Sequence, residues 1–411
     1  MLSYYPHSTA AQKSSPLIIQ KMLQSAGGQN KLISFAAGLP DPKFFPTEDL
    51  AESFQRQSHK RENFQYALPC HSLKDHIIEI MAQKGVQCSH DEILLTCGAQ
   101  QGISLLVKLM LNPSQSLVVE PFVYPGFKQI VDPYNPSYHP LSSSLNDEAS
   151  FHELGELCSN NVHSPFLYTV PHGHNPLGYS LSLEQKQSLV AWAEHYQIPI
   201  IEDDPYGFLN YEGGDSSSMC SMSDQVISIG SFSKNVAPSL RVGWIVAPKN
   251  YIKILGYLKD QSDVNSCYFS QYVLSDYLAH FSLEDQILGL QSAYKRRRDV
   301  ALNSVQKYFP ANTKVTHPDH GFFLWVELES DMDMSELLPT MIQNYGVAYI
   351  PGNAFSIDGK VGKNCLRISF VSHEEKVLEK GLKKLGGALC ELTNSGDHAN
   401  VNYYLPIAHD F

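Results

Sequence analysis

Ser231, Ser233, Lys234 and Arg241 lie within a dozen residues of one another, in Gly230-Ser-Phe-Ser-Lys-Asn-Val-Ala-Pro-Ser-Leu-Arg-Val-Gly-Trp244. Two hydroxyls and a guanidinium can hold a phosphate monoester, and an amine beside them can attack an aldehyde. The run before them, Gln225-Val-Ile-Ser-Ile229, is rich in β-branched residues and reads as a buried strand. Lys234 is thus delivered at a strand's carboxyl end, where α/β proteins build their sites. A second stretch offers a phosphate another hold. Glu92-Ile-Leu-Leu-Thr-Cys-Gly-Ala-Gln-Gln101 reads as a strand entering a glycine turn, with a helix continuing to Met110. Such a helix start exposes unpaired N–H groups and the positive end of a dipole. Gly98 lets backbone approach a ligand closely; the backbone N–H and Gln100 serve there, with Ala99 supplying no hydroxyl.

The elements that must position these groups alternate along the chain. Residues 116–120, 166–171 and 198–206 read as strands, and a helix from Leu183 to His195 separates the last two. Residues 48–60, 72–84 and 248–281 read as helical. This strand–helix–strand order implies right-handed crossovers and a mostly parallel sheet. After a long helix from Glu284 to Lys307 the pattern changes. Strands are expected over 321–327, 347–350 and 365–370, with helices over 335–345 and 374–385. Residues 1 to about 32 read as an arm and a helix begun by Ser14-Ser15-Pro16. Residues 394–411 are polar and aperiodic, a tail. The basic run Tyr294-Lys-Arg-Arg-Arg-Asp299 is too short for nucleic-acid binding and reads as a solvated helix face.

With 411 residues the chain can bury a large core and divide into two domains. At 43% hydrophobic and 18% charged it is an ordinary folded composition. A formal net charge of −12 argues against nucleic acid as a partner, since phosphate backbones need a basic surface. No apolar run approaches the ~20 residues of a membrane span. The start, Met1-Leu-Ser-Tyr-Tyr-Pro-His7, lacks the basic region and apolar core of a secretory signal. Eight cysteines without a C-x-x-C pair read as reduced thiols and a cytoplasmic location.

Taken together, these segments resemble the fold type I, pyridoxal-phosphate-dependent aminotransferases, in the branch that handles aminoadipate, kynurenine and aromatic substrates. Eight pieces stand in family order between residues 33 and 370, the first seven being Ile33-Ser-Phe-Ala-Ala-Gly-Leu-Pro40, Asn63-Phe-Gln-Tyr66, the Gly98 turn, Pro121-Phe-Val-Tyr-Pro-Gly126, His172-Gly-His-Asn-Pro-Leu-Gly178, Glu202-Asp-Asp-Pro-Tyr206 and the Lys234 segment. Asn364-Cys-Leu-Arg-Ile-Ser369 closes the series. The resemblance implies that Lys234 forms the Schiff base with pyridoxal 5′-phosphate and then serves as the base at Cα. It implies that Asp203 sits on the pyridinium nitrogen, that Asn175 and Tyr206 share the phenolic oxygen, and that Tyr124 lies against the ring. The phosphate falls to Gly98, Ala99, Gln100, Ser231, Ser233 and Arg241, with Tyr66 reaching it from the partner of a homodimer. Gly38, Asn175 and Arg367 face the substrate, Arg367 gripping the α-carboxylate. Two departures stand out: Ala99 replaces a common serine, and Ala67-Leu-Pro-Cys-His-Ser72 lacks an expected glycine.

The fold implied is α/β, with a large cofactor-binding domain over 47–283 around a mostly parallel seven-stranded sheet sandwiched by helices. A smaller α+β domain is formed by both chain ends, 1–46 and 284–393, and 394–411 is the tail. The reaction implied is amino transfer from an α-amino acid to a 2-oxo acid; elimination, decarboxylation and oxidative deamination share its carbanion chemistry and remain alternatives. Taken singly, each residue has a structural reading: Lys234 on a surface, Asp203 in a helix cap, Arg367 in an ion pair. Ser231-Phe-Ser-Lys234 also fits the S-x-x-K of penicillin-recognising acyl enzymes, but K-T-G is absent and Ser262-Asp-Val-Asn265 only half fits S-D-N. His172-Gly-His174 lacks a third ligand nearby, so no metal is expected. Cys97 reads as packed at a strand end. In Ser15-Pro-Leu-Ile-Ile-Gln20 the relatives' arginine is matched by Ile18, so acidic side chains are expected to be slower substrates.

Overall fold

The computed structural model describes residues 32–66, 70–329, 331–393 and 402–404. The Ser14–Lys21 helix start, and with it the argument from Ile18, lies outside them. Seven strands form the larger layer. Five are hydrogen-bonded in the order Ile93–Thr96, Gly243–Val246, Val226–Ser231, Ile200–Asp203 and Leu167–Thr169. Only Gly243–Val246 runs antiparallel to its neighbours. The other two, Ser116–Val119 and Ser137–Pro140, pair in parallel beside Leu167–Thr169. Ser164 bridges that junction: its Oγ accepts from Val118 N at 3.1 Å and donates to Phe166 O at 2.6 Å. The seven expected strands are therefore present in two ladders, not one continuous sheet.

Val226–Ser231 is buried along its whole length, as a central strand covered on both faces must be. The helix Gly98–Met110 crosses it closely because Gly102 has no side chain. A Cβ there would stand 3.3 Å from Ile229 and 3.4 Å from Ile245. That approach brings the helix's amino end to the carboxyl ends of the central strands. Ser182 and Ser282 cap the helices Leu183–Tyr196 and Leu283–Tyr308 through Gln185 N and Asp285 N. The region read as helical over 248–281 forms two helices, Lys249–Asp263 and Tyr268–His280, broken where Val264 takes a φ of 57°.

The second layer is an antiparallel-rich sheet in the order Ile350–Pro351, Cys365–Ser369, Phe323–Glu327, Lys314–Thr316 and Asn402–Tyr404. Asn402–Tyr404 corrects the expectation of a structureless tail, since it runs parallel to Lys314–Thr316. The stretch 347–350 also divides. Val347–Ala348 pairs with Ile33–Ser34, while Ile350–Pro351 joins the larger sheet, so the two chain ends meet there.

The basic run in the long helix is the clearest correction. Arg297 and Arg298 are 3% and 2% exposed, not solvated. Arg297 reaches Asp41 at 2.7 Å and lies 5.1 Å over the Phe44 ring, and Arg298 reaches Glu212 at 2.5 Å. Both are buried charges held by partners far away in sequence, so the helix serves as a strut joining the layers. Among the described residues no helix is long and apolar enough to cross a membrane.

Candidate active site

The carboxyl ends of the central strands, the Gly98–Met110 helix and the sheet around Phe323 enclose a cavity of about 390 Å³. Lys234, Asp203, Tyr206, Asn175, Tyr124, Arg241 and Arg367 all line it, with Gly38, Ala99, Gln100, Ser231 and Ser233. Residues spread over more than three hundred positions thus converge on one space. Gly98 is not among the lining residues but directly precedes Ala99, which is, and Tyr66 is elsewhere, 80% exposed on the outer surface.

At one end the geometry suits a phosphate. Gly98 has a φ of +72°, and a Cβ on it would stand 2.5 Å from Arg241 Nη2. Only glycine leaves room for the guanidinium across the helix start. Arg241 donates to Cys97 O at 3.1 Å, and to Ser233 Oγ at 3.4 Å. Ser231 Oγ donates to Ser233 Oγ at 2.9 Å, so both hydroxyls and the guanidinium form one patch beside the helix's free N–H groups. The Gln100 side chain makes two bonds of its own here. Its Oε1 accepts from Tyr124 OH at 3.2 Å and its Nε2 donates to Gly126 O at 3.1 Å, which fixes the Tyr124 ring.

At the other end stands Asp203, 4% exposed. Tyr168 OH donates to its Oδ2 at 2.7 Å, whereas Oδ1 is buried without a partner. Burial raises its pKa to about 7, with Asp204 adding to the rise and Tyr168 and Lys234 opposing it. An unpartnered buried acceptor facing a cavity is costly unless a donor arrives from within that cavity. A protonated ring nitrogen is such a donor, so the residues present fit pyridoxal phosphate at both ends. Asp204 turns away from the cavity, onto Lys84 Nζ at 2.5 Å. Of the two adjacent acids, the first is the one that faces the cavity.

Lys234 Nζ donates to Gly38 O at 2.8 Å. Burial, then Arg367 and Arg241, lower its pKa to about 8, with Asp203 pulling the other way. Arg367, 2% exposed, donates to Asn175 Oδ1 at 2.7 Å and to Ala36 O at 2.5 Å, while its Nε has no partner. It lies 4.0 Å over the Phe323 ring. Phe323 also explains Gly38, where a Cβ would come within 2.6 Å of the ring. Neither Tyr168 nor Phe323 was singled out by sequence reasoning. Both sit inside apolar strands, and only strand register turns them toward the acid and the arginine.

Residues 30–385 match the family model for class I and II aminotransferases. The aromatic-amino-acid aminotransferase 1 of Thermococcus litoralis is 30% identical over 370 residues, covering 88% of each chain. The mitochondrial kynurenine/alpha-aminoadipate aminotransferase of Rattus norvegicus is 28% identical over 394 residues, covering 88% of this chain and 92% of its own. Among solved structures, the Pyrococcus horikoshii kynurenine aminotransferase in complex with PMP superposes with a TM-score of 0.88 at 30% identity. It covers 94% of this chain and 97% of its own.

Proposed function

The chain belongs to the class I and II aminotransferases, enzymes that carry amino groups between amino acids and 2-oxo acids on pyridoxal 5′-phosphate, and we propose that it does so in the cavity around Lys234. The observation that carries this assignment is the opposition of Lys234 and the unpartnered Asp203 Oδ1 across one cavity with a phosphate cradle at its end. When bound, the cofactor supplies an aldehyde that accepts the amino group and a ring that takes up the electrons released with the Cα proton.

The protein's own groups do the rest. Asp203 holds a proton on the ring nitrogen, and its raised basicity strengthens that hold. Arg241, Ser231, Ser233 and the amino end of the Gly98 helix bind the phosphate. Tyr206 and Asn175 orient the phenolic oxygen, and Tyr124 covers the ring. With its pKa lowered to about 8, Lys234 is neutral in roughly a tenth of molecules at pH 7, far more than an ordinary lysine, and can move the proton at Cα.

Arg367 receives the α-carboxylate through N–H groups left over from Asn175 and Ala36. Lysine cannot reproduce that fork. Arg367→Lys should therefore lower kcat/KM by about 100-fold, mainly through KM. Steady-state kinetics with one amino donor measure it, and an unchanged KM would remove Arg367 from the substrate site.

Among the described residues the cations lining the cavity are Lys234, Arg241 and Arg367, each already assigned to the cofactor or to the α-carboxylate. Leu39, Ile103, Ile350, Ala354 and Phe323 make the remaining wall apolar. This supports a donor with an aromatic, aliphatic or neutral side chain, with glutamate slower. A scan of purified holoenzyme against phenylalanine, kynurenine, leucine, glutamate and 2-aminoadipate, with identification of the keto product, tests both reaction and preference. Faster turnover of the two acidic donors would overturn the preference.

A homodimer is supported by the apolar surface near Tyr66. Phe54, Phe64 and Tyr66 are 54%, 67% and 80% exposed, and Phe64 stacks on Phe269 at 5.0 Å. A monomer by light scattering at micromolar concentration would contradict it. Eight free cysteines support a cytoplasmic setting.

A further inference from the structure

Behind Asp203, on the side away from the cavity, lies a chain of buried charged and polar groups that the reaction as described does not use. Asp204 Oδ2 holds Lys84, and its Oδ1 accepts from Gly207 N at 2.8 Å. His172, wholly buried, places Nδ1 3.1 Å from the same Oδ1, within ion-pair range though not aligned as a full hydrogen bond. Lys186 Nζ, also wholly buried, donates to His172 Nε2 at 2.7 Å, to Asp215 Oδ2 at 2.8 Å and to Ser217 O at 2.9 Å. Gly207 closes the cluster, since a Cβ there would stand 2.5 Å from Asp204 Oδ2 and 2.9 Å from His172 Nδ1.

The chemistry of Lys186 fixes the protonation of its neighbour. An ammonium has three N–H donors and no lone pair, so His172 Nε2 must accept. The imidazole hydrogen then sits on Nδ1, facing Asp204, and the ring is neutral. Burial lowers the His172 pKa first, Asp204 works against that, and Lys186 and the tilted ring of His320, 5.1 Å away, lower it further. His320 is itself held by Asp319 Oδ1 at 3.0 Å. With His172 neutral, Asp204 keeps its negative charge next to Asp203.

We propose that Lys186, His172 and Asp204 form a relay that keeps a full negative charge on the residue next to Asp203, making Asp203 a stronger partner for the cofactor's ring nitrogen. The proposal rests on the ring-nitrogen role given to Asp203 above. Lys186, His172 and Asp204 touch neither substrate nor cofactor and are positioning residues. Loss of the Lys186 charge frees His172 Nε2 to take a proton. The imidazolium then offsets Asp204, and cationic states of the cofactor become less favoured.

The test is the pH titration of the cofactor's absorbance in holoenzyme, read beside the labelled-histidine NMR signal that His172→Gln removes. Lys186→Met should lower the absorbance midpoint by about half a unit. It should also make the His172 signal titrate near neutrality, where the wild type stays fixed. Lys186→Arg should restore both, and Asp204→Asn should lower the midpoint without a lysine change. A purely structural role would reduce thermal stability and leave the midpoints alone. The relay is overturned if Asp203→Asn moves the midpoint while Lys186→Met and Asp204→Asn do not. Should Asp203→Asn itself leave the midpoint unmoved, the ring-nitrogen assignment fails first and removes the relay's purpose. If Lys186→Met does not fold, Asp204→Asn and Lys186→Arg still decide.

Discussion

Lys234→Ala should yield a folded protein whose transamination is reduced by about 10⁴-fold or more. The side chain carries two duties that no neighbour can assume, bonding to the cofactor's aldehyde and moving the proton at Cα. Its amine is held 2.8 Å from Gly38 O and has a pKa near 8, so it can act in both protonation states. Arginine keeps the charge but never becomes a base, so Lys234→Arg should be as inactive as the alanine variant. Borohydride reduction of the wild type followed by peptide mapping should find the cofactor on Lys234. Attachment to another lysine would sink the assignment. The same group predicts how stability of the cofactor-free protein depends on pH. Its folded pKa of about 8 lies below the ordinary lysine value of 10.5, so the unfolded chain binds more protons between those values. Stability should rise with pH through that window, and the rise should vanish in Lys234→Ala.

Much of this site is legible in the sequence because its residues follow local punctuation. Asp203 ends an apolar strand, Lys234 follows one by three residues, and Gly98 opens a helix just after another. Those signals depend on neighbours a few positions away. What escaped reading depends on partners far along the chain. Arg297 looks like one more surface cation until Asp41, more than two hundred residues earlier, folds against it. Gly243–Val246 hid inside the lysine motif because it is an antiparallel strand following directly on a loop with no hairpin turn of its own. Ser137–Pro140 is an exposed-to-intermediate edge without the apolar run that marks a buried strand. Tyr168 gave no signal either, because its importance lies in strand register. Leu167–Thr169 pairs with Ile200–Asp203, which sets the phenol beside Asp203 Oδ2.

Asp203→Asn should damage catalysis and stabilise the cofactor-free fold in the same substitution. For catalysis, the amide is a far weaker acceptor than the carboxylate and cannot hold the ring nitrogen protonated. The rate of the half-reaction should fall by about 10²- to 10³-fold with substrate KM little changed. For stability the argument runs the other way. Asp203 is buried, receives one hydrogen bond from Tyr168 and leaves Oδ1 bare, with Asp204 adjacent and like-charged. Its folded pKa of about 7 exceeds the ordinary aspartate value of 3.8, so the folded protein binds more protons between those values. The wild type therefore loses stability as pH rises from about 4 to about 7, and the loss is complete above that. Asparagine removes the charge, so at pH 8 the cofactor-free variant should be more stable by about 2 kcal/mol, with the difference vanishing below pH 4. Denaturant unfolding of the cofactor-free proteins at pH 4 and pH 8 measures it. Cofactor should reverse the order, because ring-nitrogen binding rewards the carboxylate only in the holoenzyme. Equal stability of the two cofactor-free proteins at both pH values would mean that Asp203 finds a partner in solution. A variant with unchanged half-reaction rates would move the ring-nitrogen role away from Asp203 altogether.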